Sequence, residues 1–276
     1  GNLRAMVCAL YCPDTRNGPG QALPFLEHLL DEAQRLLAPL PPITSAAALE
    51  ACLKGSRAPG RLMLLENADA LADLEELGAL PHWGIRAVGL THAGRNRLAC
   101  GNAVPHPEGL SAEGRRVVRA LSDLPLALDV AHLAEPGFFE LLEMDSAPLI
   151  SSHTGLRAFC DTPRNLSGEQ LRLLLERGGV IGLSVAPEML SSSATACFDD
   201  FITQLDWLVQ RYGAKGIALG SDFGGFDGLN RGMESCGSYA AVAEALLARG
   251  YPVAAVAAIM GGNWARLYGS LLDQVD

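Results

Sequence analysis

Aromatic and charged residues are both scarce in this chain, and their scarcity argues against several classes of protein. Aromatic residues make up 6% and charged residues 19% of the 276 residues, so stacking platforms for nucleic acid bases are not indicated. A formal net charge of −10 argues against nucleic acid and anionic membrane surfaces as main partners. No apolar run reaches the roughly 18 residues of a membrane span, so no membrane partner is evident.

Cysteine pairing motifs are also missing. The seven cysteines are an odd number and contain no Cys-x-x-Cys pair, which argues against a disulfide framework in a chain of this length. We therefore expect mostly buried apolar thiols, a reducing compartment and a cytoplasmic location.

Apolar residues, in contrast, make up 49% of the chain, enough to build a large core. Short apolar runs alternate with helix-like patterns, and no linker divides the chain, so we predict a single domain over 1–276. Strands are predicted over 5–12, 62–66, 87–92, 127–132, 148–153, 180–186 and 217–222. Helices are predicted over 25–37, 111–121, 137–144, 168–177, 198–212, 239–249 and 263–272. The longest irregular stretch, 93–109, is a candidate active-site loop.

Repeated strand–helix units predict an α/β fold of parallel strands joined by right-handed crossovers. Seven predicted strands are one short of the eight that close a (β/α)₈ TIM-like barrel, so the first strand would be missing from this chain. An open doubly wound sheet is the alternative architecture.

Metal-competent or ionisable side chains stand at the ends of five predicted strands: Glu66, His92, His132, His153 and Asp222. A barrel gathers the carboxyl ends of its strands at one rim, where active sites form. Carboxylate and imidazole suit zinc, so Glu66, His132 and His153 are predicted metal ligands. Bound zinc would supply hydroxide near neutral pH.

Three further residues complete the predicted chemistry. Asp222 would act as general base towards the attacking water, and His92 and Arg164 would bind the carbonyl oxygen and the carboxylate of a substrate. Each residue also has an ordinary structural interpretation: a hydrogen-bonded histidine, a helix-capping aspartate or a surface arginine.

Specific stretches of sequence resemble the membrane (renal-type) dipeptidases, the M19 metallopeptidases of the amidohydrolase superfamily. The similarity runs over essentially the whole chain. The most specific segments are Gly84-Ile85-Arg86-Ala87-Val88-Gly89-Leu90-Thr91-His92, Leu128-Asp129-Val130-Ala131-His132, Ile150-Ser151-Ser152-His153, Pro163-Arg164-Asn165-Leu166 and Gly220-Ser221-Asp222-Phe223.

This resemblance implies a (β/α)₈ barrel with two zinc ions that cleaves small dipeptides, and a homodimer. Glu66 matches the bridging carboxylate, while His132 and His153 match the ligands of the second zinc. The remaining matches are His92 with the histidine near the scissile carbonyl, Arg164 with the arginine for the substrate carboxylate, and Asp222 with the catalytic aspartate.

Departures from the family pattern keep other functions open. The family's first strand ends in His-x-Asp, a motif that does not occur here, and the chain begins at Gly1 without a methionine; we expect that strand to precede Gly1. Asn67-Ala68 replaces a common Gly-Gly, and the segment 183–186 and Gly224 also differ. The alternatives are a degenerate, non-catalytic barrel without the first metal site, or a hydrolase of another small amide.

Overall fold

A computed structural model of the protein describes residues 3–144, 147–192, 195–228 and 230–274. The chain forms two compact units, which we call the N-terminal unit (residues 4–149 with 268–274) and the C-terminal unit (residues 150–267).

The N-terminal unit alternates strands and helices along the chain. Its strands are β1 (Ala5–Tyr11), β2 (Gly60–Glu66), β3 (Ile85–Gly89) and β4 (Ala127–Asp129), and its helices are α1 (Ala22–Leu36), α2 (Ala46–Leu53), α3 (Ala79–His82), α4 (Ala112–Ser122) and α5 (Glu135–Glu143). Parallel pairing sets the last residues of all four strands level with one another, Tyr11 with Glu66, Glu66 with Gly89 and Gly89 with Asp129. Side chains that follow these residues therefore meet at one edge of the sheet.

The C-terminal unit continues the same alternation. Its strands are β5 (Leu149–Thr154), β6 (Val180–Leu183), β7 (Ala196–Cys197), β8 (Ile217–Leu219) and β9 (Asn230–Arg231), and its helices are α6 (Gly168–Glu176), α7 (Pro187–Leu190), α8 (Phe198–Tyr212), α9 (Tyr239–Ala248), α10 (Val253–Ala257) and α11 (Asn263–Leu272). Parallel pairs align Thr154 with Leu183 and Leu183 with Leu219, the last residues of β5, β6 and β8.

The strand order is β1-β2-β3-β4 in the N-terminal unit and β5-β6-β8 in the C-terminal unit, where β7 pairs with β9 in a separate two-stranded sheet. Consecutive parallel strands with intervening helices are the arrangement of an α/β barrel of the TIM type, which confirms the predicted fold class. β2 and β3 are buried along almost their whole length, as expected of strands covered on both faces.

All seven predicted helices are confirmed, with ends that shift by at most three residues. Side-chain caps mark the starts of two of these helices, α4 and α6. Ser111 accepts a hydrogen bond from the Gly114 amide at the start of α4, and Ser167 forms a capping box with Gln170 at the start of α6. Each such cap stabilises a helix by about 1 kcal/mol. The structure adds four helices of four to eight residues, α2, α3, α7 and α10, which are too short for a clear helical period.

Four predicted strands end three residues too late. The strands predicted over 87–92, 127–132, 180–186 and 217–222 stop at Gly89, Asp129, Leu183 and Leu219. His132 (φ 64°) and Asp222 (φ 62°) adopt left-handed backbone conformations, which no strand accommodates. His92, His132 and Asp222 therefore lie in the loops beyond the strands, where side chains are freer to converge.

Two further expectations concern thiols and membranes. All seven cysteines are free, and Cys12, Cys52, Cys100 and Cys160 are buried, which agrees with the absence of a disulfide framework. Burial, with a smaller contribution from Glu66, raises the pKa of Cys12 to about 12. No helix in the described part of the chain is long and apolar enough to cross a membrane.

Candidate metal centre and active site

Glu66 and His132 meet in the N-terminal unit, as predicted. Glu66 is the last residue of β2, and His132 lies in the loop that follows β4. His132 Nε2 is 3.0 Å from Glu66 Oε1, and the two side chains are only 11% and 13% exposed. The left-handed backbone at His132 costs about 1 kcal/mol or more, a strain that clusters at functional sites. The loop conformation therefore directs an imidazole nitrogen at a nearly buried carboxylate.

His92 belongs to the same group of side chains. Its ring centroid lies 4.4 Å from that of His132 and 4.8 Å from that of Tyr11, the last residue of β1. Its Nδ1 is 3.4 Å from Asp14 Oδ2. The predicted substrate-binding histidine thus stands directly beside a predicted metal ligand.

Asp14 was missed by the sequence reasoning. It lies in a single 3₁₀ turn, Asp14–Arg16, shortly after β1, and its carboxylate also accepts the backbone N–H of Gly94 at 3.0 Å. A Cβ at position 94 would stand 2.9 Å from Asp14 Oδ2, so glycine allows this approach. The strand-end rule that selected Glu66 also applies to Asp14.

Asn67 anchors the turn that follows Glu66. It is buried with φ 65°, a conformation that glycine and asparagine tolerate best. Its amide nitrogen donates to Cys12 O at 2.6 Å and Asn17 Oδ1 at 2.9 Å, and its oxygen accepts from Asn96 at 2.8 Å. Asn67, in place of the first glycine of the family's common Gly-Gly, therefore accommodates a left-handed backbone and adds hydrogen bonds to two neighbouring loops.

Asp69 and Arg97 form a buried ion pair behind this turn. Asp69 is 0% exposed and accepts from Gly18 N at 2.7 Å, Arg97 N at 2.8 Å and Arg97 Nε at 3.0 Å. Burial alone would raise the pKa of Asp69, but the hydrogen bonds from Arg97 and the Gly18 amide outweigh it and hold the pKa below its usual value. Arg97 also binds Asp73, and these bonds fix part of the predicted active-site loop, 93–109.

His153 and Asp222 approach one another in the C-terminal unit. His153 lies in β5 and is 6% exposed, with its Nδ1 2.8 Å from Ser152 Oγ. Its Nε2 is 3.9 Å from Oδ2 of Asp222, which follows β8. A Cβ at Gly225 would stand 2.1 Å from Asp222 Oδ1, so the Gly-rich segment 220–225 gives the carboxylate its space.

Arg164 lies on the loop between β5 and α6 and is half-buried. Its Nη2 donates to the backbone oxygen of His153 at 3.2 Å. This bond fixes the guanidinium beside the strand that carries a predicted metal ligand.

The predicted metal ligands are metal-competent and nearly buried within each unit. In the N-terminal unit, Glu66 Oε1 and His132 Nε2 lie 3.0 Å apart, and in the C-terminal unit His153 offers an imidazole that is 6% exposed. Imidazole and carboxylate are common donors of catalytic zinc sites, and their low exposure suits a desolvated ion. The residues present therefore fit a divalent metal.

The family model of the membrane dipeptidases, peptidase family M19, matches residues 1–273. The chain belongs to peptidase family M19. It is accordingly a metallo-dipeptidase, a hydrolase of a metal-dependent family.

Known relatives agree with this assignment. The dipeptidase aclJ of Aspergillus oryzae is 25% identical over 98% of this chain and 68% of its own length. A structure of the dipeptidase AC, an M19 metallopeptidase, superposes with a TM-score of 0.87 at 25% identity and covers 98% of this chain and 86% of that one. A metallopeptidase from Rhodobacter sphaeroides, liganded with a phosphinate mimic of L-Ala-D-Ala, gives a TM-score of 0.81 at 25% identity, with 96% and 85% covered.

Proposed function

We propose that this M19 enzyme is zinc-dependent and hydrolyses the peptide bond of small dipeptides. The observation that carries the proposal is the nearly buried pair of Glu66 and His132, whose Oε1 and Nε2 atoms lie 3.0 Å apart. His153, in the C-terminal unit, is the proposed third ligand. Zinc, when bound there, would polarise the peptide carbonyl and lower the pKa of water. Glu66 has two carboxylate oxygens, so it could also offer a ligand atom to a second ion.

Asp222 is the proposed general base. Its carboxylate lies 3.9 Å from His153 Nε2, so in the C-terminal unit a proton acceptor stands next to a metal ligand. It would take a proton from the attacking water and pass it to the leaving amine. The left-handed backbone at Asp222 aims the side chain back towards β5.

His92 is the proposed contact for the scissile carbonyl oxygen, and we propose Asp14 as its positioning residue. With Nδ1 turned towards Asp14 Oδ2 at 3.4 Å, the ring presents Nε2 on its other side. Contacts with Tyr11 and His132 restrict its rotation. An Nε2–H group held in this way would donate to the carbonyl oxygen without the ring first having to reorient.

Arg164 is the proposed partner of the substrate's terminal carboxylate. A guanidinium matches a carboxylate with two parallel hydrogen bonds, and the bond from Nη2 to His153 O holds the guanidinium beside β5. The substrate would thus be recognised by its free carboxyl end, which favours dipeptides over internal peptide bonds.

The R. sphaeroides relative binds a mimic of L-Ala-D-Ala, and this supports dipeptides with a D-residue at the carboxyl end as substrates to test. We also propose a homodimer and a single barrel domain, both of which rest on the family resemblance.

The experiment is a metal analysis of the purified protein, with hydrolysis assays on dipeptides with L- and D-residue carboxyl ends and on other small amides. We expect bound zinc and cleavage of dipeptides that stops after chelation and returns with added zinc. Bound zinc with cleavage only of other amides would change the substrate class. A protein that binds no metal and cleaves nothing would favour the non-catalytic barrel.

A further inference from the structure

A second group of charged side chains lies in the C-terminal unit, at the ends of the strands opposite to Asp222. A cavity of about 380 Å³ opens beside Gly178 and Gly179, directly before β6, and beside Gly216, directly before β8. Asp222 follows the carboxyl end of β8, whereas this cavity adjoins its amino end. The charged residues that line it are Arg172, Glu176, Arg211, Lys215 and Arg266.

The charge of this cavity is opposite to that of the chain. The chain carries a net charge of −10 and has only 21 lysines and arginines, yet four of them line the cavity beside one carboxylate. Arg172 is matched by Glu176, with both carboxylate oxygens 2.8 Å from Nη1. The cavity therefore has an excess of three positive charges.

Among the residues that the structure describes, no carboxylate lies within 4.0 Å of Arg211, Lys215 or Arg266. The three side chains are exposed, so solvent and salt screen their mutual repulsion in part. An anion in the cavity would offset the repulsion that remains.

Arg211 is held in place before any ligand binds. Its guanidinium lies over the rings of Trp207 and Tyr212, with its Cζ 5.4 Å and 5.7 Å from the two centroids. Its Nε donates to Tyr212 Oη at 3.3 Å, and that hydroxyl donates to Gly168 O at 3.2 Å. A fixed guanidinium loses little side-chain entropy when it binds a ligand.

Three glycines, Gly178, Gly179 and Gly216, line the cavity. Gly216 has φ 83°, and a Cβ there would stand 2.8 Å from Gly179 O, so no other residue allows this close approach of the two loops. Because these glycines have no side chains, they leave room for a ligand. The volume of the cavity falls in the usual range of small-molecule sites, roughly 300–1,000 Å³.

We propose that this cavity binds a small molecule that carries phosphate groups. Arginine forks match the oxygens of phosphate, and a lysine adds a mobile positive charge. Because the site lies at the amino ends of β6 and β8, it is separate from Asp222, which follows the carboxyl end of β8, and it does not depend on the proposed hydrolysis.

The test is calorimetric titration of the metal-loaded protein with inorganic pyrophosphate, and with tricarballylate as a tricarboxylate comparison. The pocket variant is R211Q/K215Q/R266Q. A matched control variant, R35Q/K54Q/R116Q, removes the same charges from exposed helix surfaces, where each cation pairs with a glutamate. We expect one pyrophosphate per chain, binding weakened about tenfold or more in the pocket variant, and near-unchanged binding in the control.

Other results would overturn the proposal. Equal weakening in both variants would mean a general charge effect, and binding that survives in the pocket variant would place pyrophosphate elsewhere, the metal centre included. Tricarballylate binding as tight as pyrophosphate would refute the phosphate class. No saturable binding to the wild-type protein would refute the site. Unchanged dipeptide hydrolysis by the pocket variant confirms that the fold and the metal centre are intact.

Discussion

The two units support their proposed site residues in different ways. In the N-terminal unit, Glu66 and His92 are backed by buried polar side chains. Among them, Asn67 hydrogen-bonds to the loop at Asn17, and Asp69 to the loop at Arg97. In the C-terminal unit, Asp222 lies in the Gly-rich segment 220–225, in which Phe223, Gly224 and Gly225 are exposed. We therefore expect that replacing a polar residue at the site lowers the stability of the fold more in the N-terminal unit than in the C-terminal unit.

Replacing Asp222 tests the C-terminal unit and has the largest expected effect. Because Asp222→Asn keeps the shape but cannot accept the proton, we expect kcat to fall about 10²- to 10⁴-fold with little change in the melting temperature. Steady-state kinetics and thermal unfolding measure the two quantities. Asp227→Asn, in the same exposed loop, is the control and should change neither.

Replacing Asp69 tests the N-terminal unit. Asp69→Asn puts a neutral amide beside the partly exposed Arg97 guanidinium, which keeps Asp73 as an acidic partner. Because hydrogen bonds to a buried carboxylate are lost, we expect a loss of about 1.5–3 kcal/mol in the free energy of unfolding. Denaturant titration measures it. Asp73→Asn removes the partly exposed partner of the same arginine and should cost clearly less. Equal losses from the two variants would argue against a special role for the buried carboxylate.

The pH dependence of stability sharpens this comparison. The pKa of Asp69 lies below its ordinary value of 3.8, so its carboxylate stabilises the fold fully above that pH. The stabilisation is lost as the pH falls through the lower, folded-state pKa. The difference in stability between the wild type and Asp69→Asn should therefore narrow in acid and stay constant near neutrality.

Asn67 should show an intermediate effect. Asn67→Gly keeps the left-handed turn but loses the three amide hydrogen bonds, whereas Asn67→Ala also strains the backbone. We expect alanine to be less stable than glycine by about 1 kcal/mol, with a matching order of activities because the turn adjoins Glu66. The opposite order in thermal unfolding would mean that the backbone conformation at Asn67 does not matter.

Arg164 has the smallest expected effect, and it is one of substrate binding. We expect Arg164→Ala to raise KM about tenfold for free dipeptides and much less for the same dipeptides with amidated carboxyl ends. Equal changes in KM for both substrates would refute a contact between Arg164 and the substrate carboxylate.

Much of the fold was predictable because local signals agree with it. The seven predicted helices carry a helical period, and α4 and α6 begin at the serine caps Ser111 and Ser167. The ends of β3, β4 and β8 were not predictable, because the chain leaves the sheet at residues that nothing in their local sequence marks. Left-handed His132 and Asp222 are stabilised by the tertiary structure against their own preference.

The site was predictable only where it repeats a pattern. Glu66 and His132 follow the rule that polar residues at strand ends gather, and the resemblance to M19 peptidases implies the same two residues. The role of His153 as a third ligand stays a prediction. The contact of Asp14 with His92 spans 78 positions, and that of Asn67 with Cys12 spans 55. Such pairings depend on the register of distant loops, which a single sequence does not specify.

The most direct test of the account is the metal content and dipeptidase activity of His153→Ala beside the wild type. We expect the variant to keep its fold, as judged by circular dichroism. We also expect it to lose bound zinc, and with the zinc its hydrolysis, because the imidazole of a proposed metal ligand is removed. A rigorously metal-free protein that still cleaves dipeptides at the full rate would contradict the account.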